Sequence, residues 1–231
     1  MKPTESPRRE VVRAEARAWL RETSAPPHAS VVTSMPDLSE MRDAEAGFAE
    51  VPQGLPRWRA WFVDTARHIV RWVPEGGVAM FFQSDVRVGR ALVDKGYLVM
   101  RAAEEEGASV LWHKIVCRRA PGSISMGRPG YSHLIAIVRG PIPEMRHPGP
   151  EVLADAGFMP WSRAMGVGAC RLACRFLVEN TSTRVVVDPF CGKGTVLAVA
   201  NEMGLDAIGV ELSAKRCKTA RSLTIEAASS G

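Results

Sequence analysis

Short apolar runs alternate with amphipathic stretches along most of the chain, and this alternation predicts an α/β protein. Residues 29–34 and 77–82 consist of small, apolar or β-branched side chains, which is typical of parallel strands buried on both faces. Between them, residues 57–73 carry apolar side chains at helical spacing and precede a proline and two glycines. The order of these elements predicts a doubly wound, mostly parallel sheet.

The last third of the chain repeats this alternation. Residues 163–179 predict a helix, residues 183–187 predict the clearest strand of the chain, and residues 196–203 predict a second helix. A strand at 207–211 and a final helix at 213–225 follow, and the serine that opens the final helix is a suitable N-cap. Strands and helices therefore continue to alternate through this part of the chain.

The middle of the chain predicts a less regular arrangement. Residues 86–95 are interpreted as a short helix, and residues 97–102 as a further strand or turn. Two longer β-branched runs, at 109–118 and 131–138, predict strands that could pair as a hairpin around a glycine-rich connection. Residues 140–160 contain five prolines and predict a loop.

The length and the composition favour one globular domain. The 231 residues are 46% hydrophobic and 24% charged, within the range of folded soluble proteins. We divide this domain into an N-terminal segment at 1–30, a catalytic half at 31–140, a linker loop at 141–160 and a cofactor-binding half at 161–231. Because no apolar run reaches the length of a membrane span and no secretion signal is visible, we expect a cytoplasmic protein without a membrane partner. The sequence leaves a homodimer open.

Positive charge is concentrated in one stretch of the chain. The formal net charge is +5, and the segment from position 114 to position 146 holds six basic residues against one acid, so that this segment alone carries +5. A cluster of this kind suggests contacts with the phosphates of a nucleic acid. The alternative is a solvated loop that its arginines keep soluble.

The candidate chemistry lies in the segment DPFCGKGT, at residues 188–195, directly after the clearest strand. Gly192 and Gly194 allow backbone N–H groups to approach a ligand closely. Glu211 ends the next strand, and a carboxylate at the tip of a strand can accept hydrogen bonds from both hydroxyls of a ribose. This layout is typical of proteins that bind a cofactor containing adenosine.

The segment DPFCGKGT resembles the DPF(A/C)GSGT loop of S-adenosylmethionine-dependent methyltransferases, especially those that act on exocyclic amines of nucleic-acid bases. The position of this loop near the C-terminus resembles the circularly permuted, Rossmann-like order of that family. The resemblance implies S-adenosylmethionine as the cofactor, and Glu15 takes the place of the acid that borders the adenine. The residues expected to bind the cofactor are Glu15, Asp188, Pro189, Phe190, Cys191, Gly192, Gly194, Thr195 and Glu211.

The family's catalytic motif is Asp, Asn or Ser followed by two prolines and an aromatic residue, and it corresponds here to the run SMPD at 34–37. The resemblance implies that Ser34, Pro36 and Asp37 form the methyl-transfer site. Asp37 stands where the family has the aromatic side chain that stacks on the target base. A carboxylate there could bind the nucleophile or accept its proton, or it could simply cap a turn.

Further residues are candidates for contacts with the substrate. If Asp37 cannot stack on a base, Tyr131 or Trp161 could supply the aromatic surface, although aromatic residues more often pack in a core. The expected substrate-binding residues are Lys114, Arg118, Arg119, Arg128, Tyr131 and Trp161.

No metal site is expected. The five cysteines form no CxxC pair and are interpreted as reduced thiols, although Cys170 and Cys174 could share one face of a helix. His113 and His133 lie in predicted strands and are interpreted as ordinary hydrogen-bonded histidines.

These observations lead to three hypotheses about function. The first is transfer of a methyl group to a nucleic-acid base, with RNA such as tRNA favoured over DNA because the chain has little room for an inserted DNA-recognition domain. The second is a methyltransferase of small molecules. The third is a non-catalytic subunit that binds the cofactor and nucleic acid while a partner carries out the transfer.

Overall fold

The structure is a computed structural model that describes residues 6–42 and 54–225. Strands and helices alternate along these residues, as the hydrophobic pattern predicts. The strands are β1 (Arg9–Arg13), β2 (Ala29–Thr33), β3 (Val78–Gln83), β4 (Val86–Val88), β5 (Ala91–Val93), β6 (Ser109–Cys117), β7 (Tyr131–Val138), β8 (Val152–Leu153), β9 (Val185–Asp188) and β10 (Asp206–Glu211). The helices are α1 (Ala16–Glu22), α2 (Leu38–Met41), α3 (Gly54–Trp72), α4 (Lys95–Glu105), α5 (Val167–Asn180), α6 (Thr195–Glu202) and α7 (Ala214–Ser222).

Eight of these strands form one sheet in the order β1-β10-β9-β2-β3-β7-β6-β8. The first five strands of this order pair in parallel, whereas β7 runs antiparallel to both β3 and β6. The predicted mostly parallel sheet is confirmed, and so is the predicted pairing of β6 with β7. Because β1, β10, β9, β2 and β3 are parallel, their carboxyl ends meet at one edge, where α/β sheets bind their ligands.

Helices cover both faces of the sheet. On one face, apolar side chains of α5, α6 and α7 pack against the strands around Val186 and Leu134. On the other face, α3 and α4 pack against the strands around Val31 and Phe81. This double coverage explains why β2 and β3 carry continuous runs of buried residues and lack an alternating pattern.

The interpretation of residues 86–102 is wrong. The predicted helix at 86–95 is a hairpin of β4 and β5, which turns at Gly89 with a φ of 62°. The predicted strand or turn at 97–102 lies inside α4, which Asp94 caps by accepting a hydrogen bond from Tyr97 N–H. Leu98, Val99 and Ala102 follow helical spacing and are buried, and this packing selects the helix.

Several other bounds shift by a few residues. Helix α5 begins at Val167, later than the predicted 163, and the proline-rich loop contains the short strand β8, which pairs with β6. Within residues 6–42 and 54–225, no helix is both long enough and apolar enough to cross a membrane.

Candidate functional site

A cavity of about 680 Å³ opens at the carboxyl edge of the parallel strands. Its walls come from the segments that follow β1, β2, β9 and β10, together with residues 161–165. Its volume lies within the range of cofactor and small-ligand sites. Among the predicted cofactor residues, all except Gly194 line this cavity: Glu15, Asp188, Pro189, Phe190, Cys191, Gly192, Thr195 and Glu211.

Asp188 ends β9 and anchors the glycine-rich loop. Its Oδ1 accepts hydrogen bonds from Thr33 Oγ1 at 2.6 Å and from Phe190 N–H at 3.1 Å. Burial raises the pKa of this carboxyl to about 7, and the nearby carboxylate of Glu211 adds to the rise. A ligand that donates hydrogen bonds to this side chain would therefore stabilise its charged form.

The glycines of the loop are required by its backbone. Gly192 and Gly194 have φ values of 54° and 86°, in the left-handed region that favours glycine. A Cβ at Gly194 would lie 2.9 Å from the Cα and Cβ of Ala220, so a side chain there would push α7 away. Gly194 thus lets the loop pack against α7, although it does not line the cavity.

Two glutamates at neighbouring strand ends face the same cavity. Glu211 accepts a hydrogen bond from Ser213 N–H at 2.7 Å through Oε1, and burial raises the pKa of its carboxyl. Glu15 follows β1 and caps α1 by accepting a hydrogen bond from Ala18 N–H at 2.8 Å. These contacts orient both carboxylates beside the cavity.

A buried polar atom tests whether this cavity suits a cofactor. Thr195 is 3% exposed, and its Oγ1 has no hydrogen-bond partner within the described part of the chain. Native proteins rarely leave such an atom unpaired, so a ligand in the cavity would supply the missing partner. The orphaned hydroxyl, the two acids and the glycine loop together fit S-adenosylmethionine, which offers ribose hydroxyls, an ammonium and a carboxylate.

Trp161 belongs to the same cavity. Its ring lies opposite Gly192, and Lys193 places its ammonium 5.6 Å from the ring centroid. This position brings Trp161 beside the cofactor loop. Its predicted contact with a target base stays a prediction.

A second, smaller cavity of about 50 Å³ adjoins the first one. Ser34 lines both cavities, whereas Pro36 lines the larger one and Asp37 lines the smaller one. The wall of the smaller cavity is polar and includes Ser34, Asp37, Glu40, Ser84, Lys95, Arg118 and Arg128.

Asp37 is the most constrained of the predicted catalytic residues. It caps α2: Oδ1 accepts hydrogen bonds from Ser39 N–H and Glu40 N–H at 2.9 and 3.0 Å. Oδ2 accepts a hydrogen bond from Arg128 Nη2 at 2.8 Å. Burial alone would raise the pKa of this carboxyl, but the hydrogen bonds and the cations of Lys95 and Arg128 outweigh it and lower the pKa. These bonds leave the carboxylate little capacity to accept a proton, so its part in the chemistry stays a prediction.

Two of the predicted substrate-binding residues, Lys114 and Tyr131, lie outside the walls of both cavities. Lys114 is only 2% exposed, and its ammonium donates hydrogen bonds to the carbonyls of Gly149 and Pro150. The loop after β7 encloses this ammonium, and its expected phosphate contact stays a prediction. Tyr131 packs edge-on against His133, 5.5 Å between ring centroids, and lines neither of the two cavities, so its contact with a base stays a prediction.

The arginines differ in how accessible they are. Arg118 is partly buried and donates a hydrogen bond to Ser84 Oγ at 3.2 Å. Arg119 is exposed, and the side chain of Arg128 is half exposed even though it pairs with Asp37. Arg119 and Arg128 therefore remain available to a substrate.

A polar network beside the smaller cavity escaped the sequence analysis. His133 Nδ1 and His113 Nε2 lie 2.8 Å apart, and His133 Nε2 lies 3.1 Å from Asp85 Oδ2. Asp85 Oδ1 in turn accepts a hydrogen bond from Lys95 N–H at 2.8 Å. Both histidines are hydrogen-bonded, as interpreted, and the network fixes the start of α4. Asp85 and Lys95 were missed because their roles depend on contacts and burial that separate segments create.

One group of side chains in the described ranges has ligand atoms close enough together for a metal ion. It comprises Asp85, Asp94 and His133, whose ligand atoms lie within 4.8 Å of one another. Both carboxylates already accept hydrogen bonds from the first residues of α4. The expectation of a protein without a metal stays a prediction.

One comparison with known families matches a part of the chain that contributes to the wall of the larger cavity. A family model described as DNA methylase matches residues 175–222, which run from within α5 through the glycine loop to the end of α7. No curated protein sequence matches the chain.

Solved structures share the fold over nearly the whole chain. A candidate DNA modification methylase of Thermus thermophilus, TTHA0409, is 22% identical with a TM-score of 0.66, and the match covers 93% of this chain and 92% of that one. PvuII DNA methyltransferase, described as cytosine-N4-specific, is 12% identical with a TM-score of 0.71, covering 96% and 89%. M1.HpyAVI, solved with S-adenosylmethionine, is 12% identical with a TM-score of 0.60, covering 92% and 97%.

The family match spans the glycine loop and the strand that ends in Glu211, the two features on which the resemblance depends. The solved methyltransferase structures agree with the fold as a whole, at TM-scores of 0.60 to 0.71. The chain therefore has the fold of these methyltransferases, and residues 175–222 match the DNA methylase family model.

Proposed function

We propose that this enzyme transfers the methyl group of S-adenosylmethionine to an exocyclic amine of a base in DNA. The observation that carries the proposal is the position of Ser34, which lines both the cofactor cavity and the smaller polar cavity. A target amine beside Ser34 would meet the methyl donor from one side while the rest of its base lies on the other. Residues at such a junction can position the amine for in-line attack on the methyl carbon.

The larger cavity would hold the cofactor, whose sulfonium supplies an activated methyl group. Glu211 would accept hydrogen bonds from the ribose hydroxyls, and Glu15 would border the adenine. Ser34 Oγ and a carbonyl of the loop at 34–37 would accept hydrogen bonds from the two N–H groups of the amine. Such bonds would direct the nitrogen lone pair toward the methyl group. As the nitrogen–carbon bond forms, the bond between sulfur and the methyl carbon would break with its electron pair left on sulfur, and the nitrogen would release one proton to water.

DNA is preferred to RNA for two reasons. The matching family model is described as DNA methylase, and the matching structures include PvuII DNA methyltransferase. The expectation of RNA depended on the lack of room for an inserted recognition domain. However, the matches extend over 92% of TTHA0409 and 89% of PvuII DNA methyltransferase. A chain of this size is therefore no argument against DNA, and the comparisons lend no support to an RNA preference.

Methyl transfer from radiolabelled S-adenosylmethionine tests the proposal. The purified protein would be offered duplex DNA, heat-denatured DNA and bulk tRNA, and the products would be digested to nucleosides for mass spectrometry. We expect a methylated exocyclic amine in DNA. Ser34→Ala should lose most of this transfer while it retains cofactor binding. Label in tRNA alone would contradict the choice of DNA, and cofactor binding without any transfer would favour a non-catalytic subunit.

A further inference from the structure

We propose that Lys95 and Arg128 hold the target base at the smaller cavity. In this arrangement, the Lys95 ammonium donates hydrogen bonds to acceptor atoms on the edge of the base. The planar guanidinium of Arg128 lies against the face of the ring. The inference deepens the proposed function and rests on it.

Lys95 is a buried hydrogen-bond donor in the wall of the smaller cavity. The residue is only 4% exposed, yet it lines the smaller cavity. Within residues 6–42 and 54–225, its ammonium forms neither a hydrogen bond nor an ion pair. The nearest ring, that of Phe62, has its centroid 6.0 Å away. Lysine is almost never this buried without a partner, so an ammonium beside a cavity indicates a missing acceptor.

Two carboxylates near Lys95 oppose the loss of its charge, and Asp85 holds its backbone in place. Burial lowers the pKa of the ammonium, but the carboxylates of Asp37 and Glu40 oppose this effect without touching the group. The backbone N–H of Lys95 is bound by Asp85, which His133 holds from the other side. The side chain therefore starts from a rigid point, and its three donors stay free for a ligand.

Arg128 can provide the flat surface that this catalytic loop lacks. Asp37 stands where the family has its stacking aromatic, and it binds Arg128 Nη2 at 2.8 Å. The carboxylate is 4% exposed whereas the arginine side chain is 50% exposed, so a fixed partner holds a guanidinium that still faces the solvent. Guanidinium planes stack on nucleobases much as aromatic rings do.

The chemistry of the target agrees with this pair of residues. In adenine and in cytosine, the carbon that bears the exocyclic amine also bonds to a ring nitrogen that accepts hydrogen bonds. Lysine donates but cannot accept, so Lys95 would favour such an edge over one that presents a ring N–H. Ser34, shared by both cavities, would then meet the amine itself.

The test compares Lys95→Met and Arg128→Lys with the wild-type enzyme. Lys95→Met keeps the length of the side chain but removes the donors, and Arg128→Lys keeps the charge but removes the plane. Lys218→Met and Arg101→Lys are matched controls, because both residues are exposed on helices and line neither cavity. The measurements are kcat/KM on heat-denatured DNA, binding of a labelled single strand, cofactor affinity by calorimetry and thermal unfolding.

Lys95→Met and Arg128→Lys should each lower kcat/KM by about 10- to 100-fold, the usual effect of losing a specific base contact. Cofactor affinity should stay within about twofold, since neither residue lines the larger cavity. Because Arg128 is half exposed, its variant should fold even if Lys95→Met does not.

Unchanged kcat/KM in the folded variants, alongside an active wild type, would overturn this inference and leave the proposed function intact. A wild type that binds the single strand more tightly than both variants but transfers no methyl group would contradict the proposed function alone. A wild type that neither binds DNA nor transfers the methyl group would overturn both.

Discussion

The two cavities lie side by side at one edge of the sheet, yet the pKa values of their buried carboxyls shift in opposite directions. The larger one is lined by Asp188 and Glu211, and burial raises the pKa of both carboxyls. The smaller one combines Asp37 with the cations of Lys95 and Arg128, and the pKa of Asp37 is lowered. The carboxyls of the first cavity can accept hydrogen bonds from a ligand. In the second cavity, the cations already compensate the charge of Asp37, and their N–H groups can donate hydrogen bonds to a ligand.

The cavities also differ in how the chain builds them. The glycine loop is one continuous segment of eight residues, 188–195, between β9 and the first turn of α6. The smaller cavity collects side chains from several separate segments, and the two residues of its ion pair are 91 positions apart in the chain. One cavity can therefore match a family pattern while the adjacent cavity departs from it.

The largest expected effect concerns the acid of the larger cavity. Glu211→Ala should weaken the binding of S-adenosylmethionine by roughly 2 to 4 kcal/mol, because both ribose hydroxyls would lose a charged acceptor. Titration calorimetry measures the change. Glu202→Ala is the control, since Glu202 is exposed on α6 and pairs with Arg171 outside the cavity. Unchanged affinity in Glu211→Ala would show that Glu211 does not bind the cofactor.

The next effect addresses the smaller cavity. Asp37→Ala should lower turnover by a factor on the order of 10², because the substitution removes the partner that holds Arg128 in place. Cofactor binding should stay nearly intact. Asp37→Asn keeps a cap acceptor but loses the charge, and it should fall between the wild type and Asp37→Ala. Ser39→Ala is the control, since it removes one hydroxyl donor to Asp37 and leaves the ion pair. Full turnover in Asp37→Ala would reduce Asp37 to a helix cap.

A third prediction uses pH to test the raised pKa of Asp188 in the larger cavity. Asp188 keeps its proton in the folded protein up to a pKa of about 7 but releases it near pH 4 when unfolded. Because the unfolded state binds fewer protons in this window, the free energy of unfolding should fall as the pH rises from about 4 to about 7. Asp188→Asn keeps an oxygen for Thr33 and removes this dependence.

At pH 8 the ligand-free Asp188→Asn variant should therefore be more stable than the wild type by about 1 to 2 kcal/mol. At pH 4 the two proteins should be nearly equal. Chemical denaturation at both pH values checks the difference. A gap of the same size at pH 4 and pH 8 would show that protonation of Asp188 is not its cause.

The smallest effect concerns the exposed arginine next to the smaller cavity. Arg119→Ala should flatten the log–log salt dependence of duplex DNA binding by about 0.9, the contribution of one phosphate contact. Arg90→Ala, at the exposed turn between β4 and β5, is the control. Filter binding across a salt series measures both slopes. Equal slopes in wild type and Arg119→Ala would make Arg119 part of a solvated surface.

The sequence by itself determined the sheet class and the need for glycines in the loop after β9. Buried parallel strands need continuous apolar runs, and a strand-to-helix turn needs glycines where φ is positive, so both leave a local record in the sequence. That record was weaker at 86–102, where short valine-rich stretches fit a hairpin and a helix equally well. The packing of Leu98 and Val99 against the sheet decided in favour of the helix α4.

The tertiary structure alone decided which basic residues line the smaller cavity. Lys114 and Arg128 look alike as basic residues of one segment, but Lys114 is enclosed by the loop at Gly149 while Arg128 reaches Asp37 and the solvent. Lys95 carries no sequence signal, because its importance comes from burial next to a cavity that distant segments enclose. The physical reason is the distance along the chain over which each effect acts. Backbone conformation depends on residues that are close in sequence, whereas the desolvation and pairing of a charge depend on residues that the fold places next to it in space.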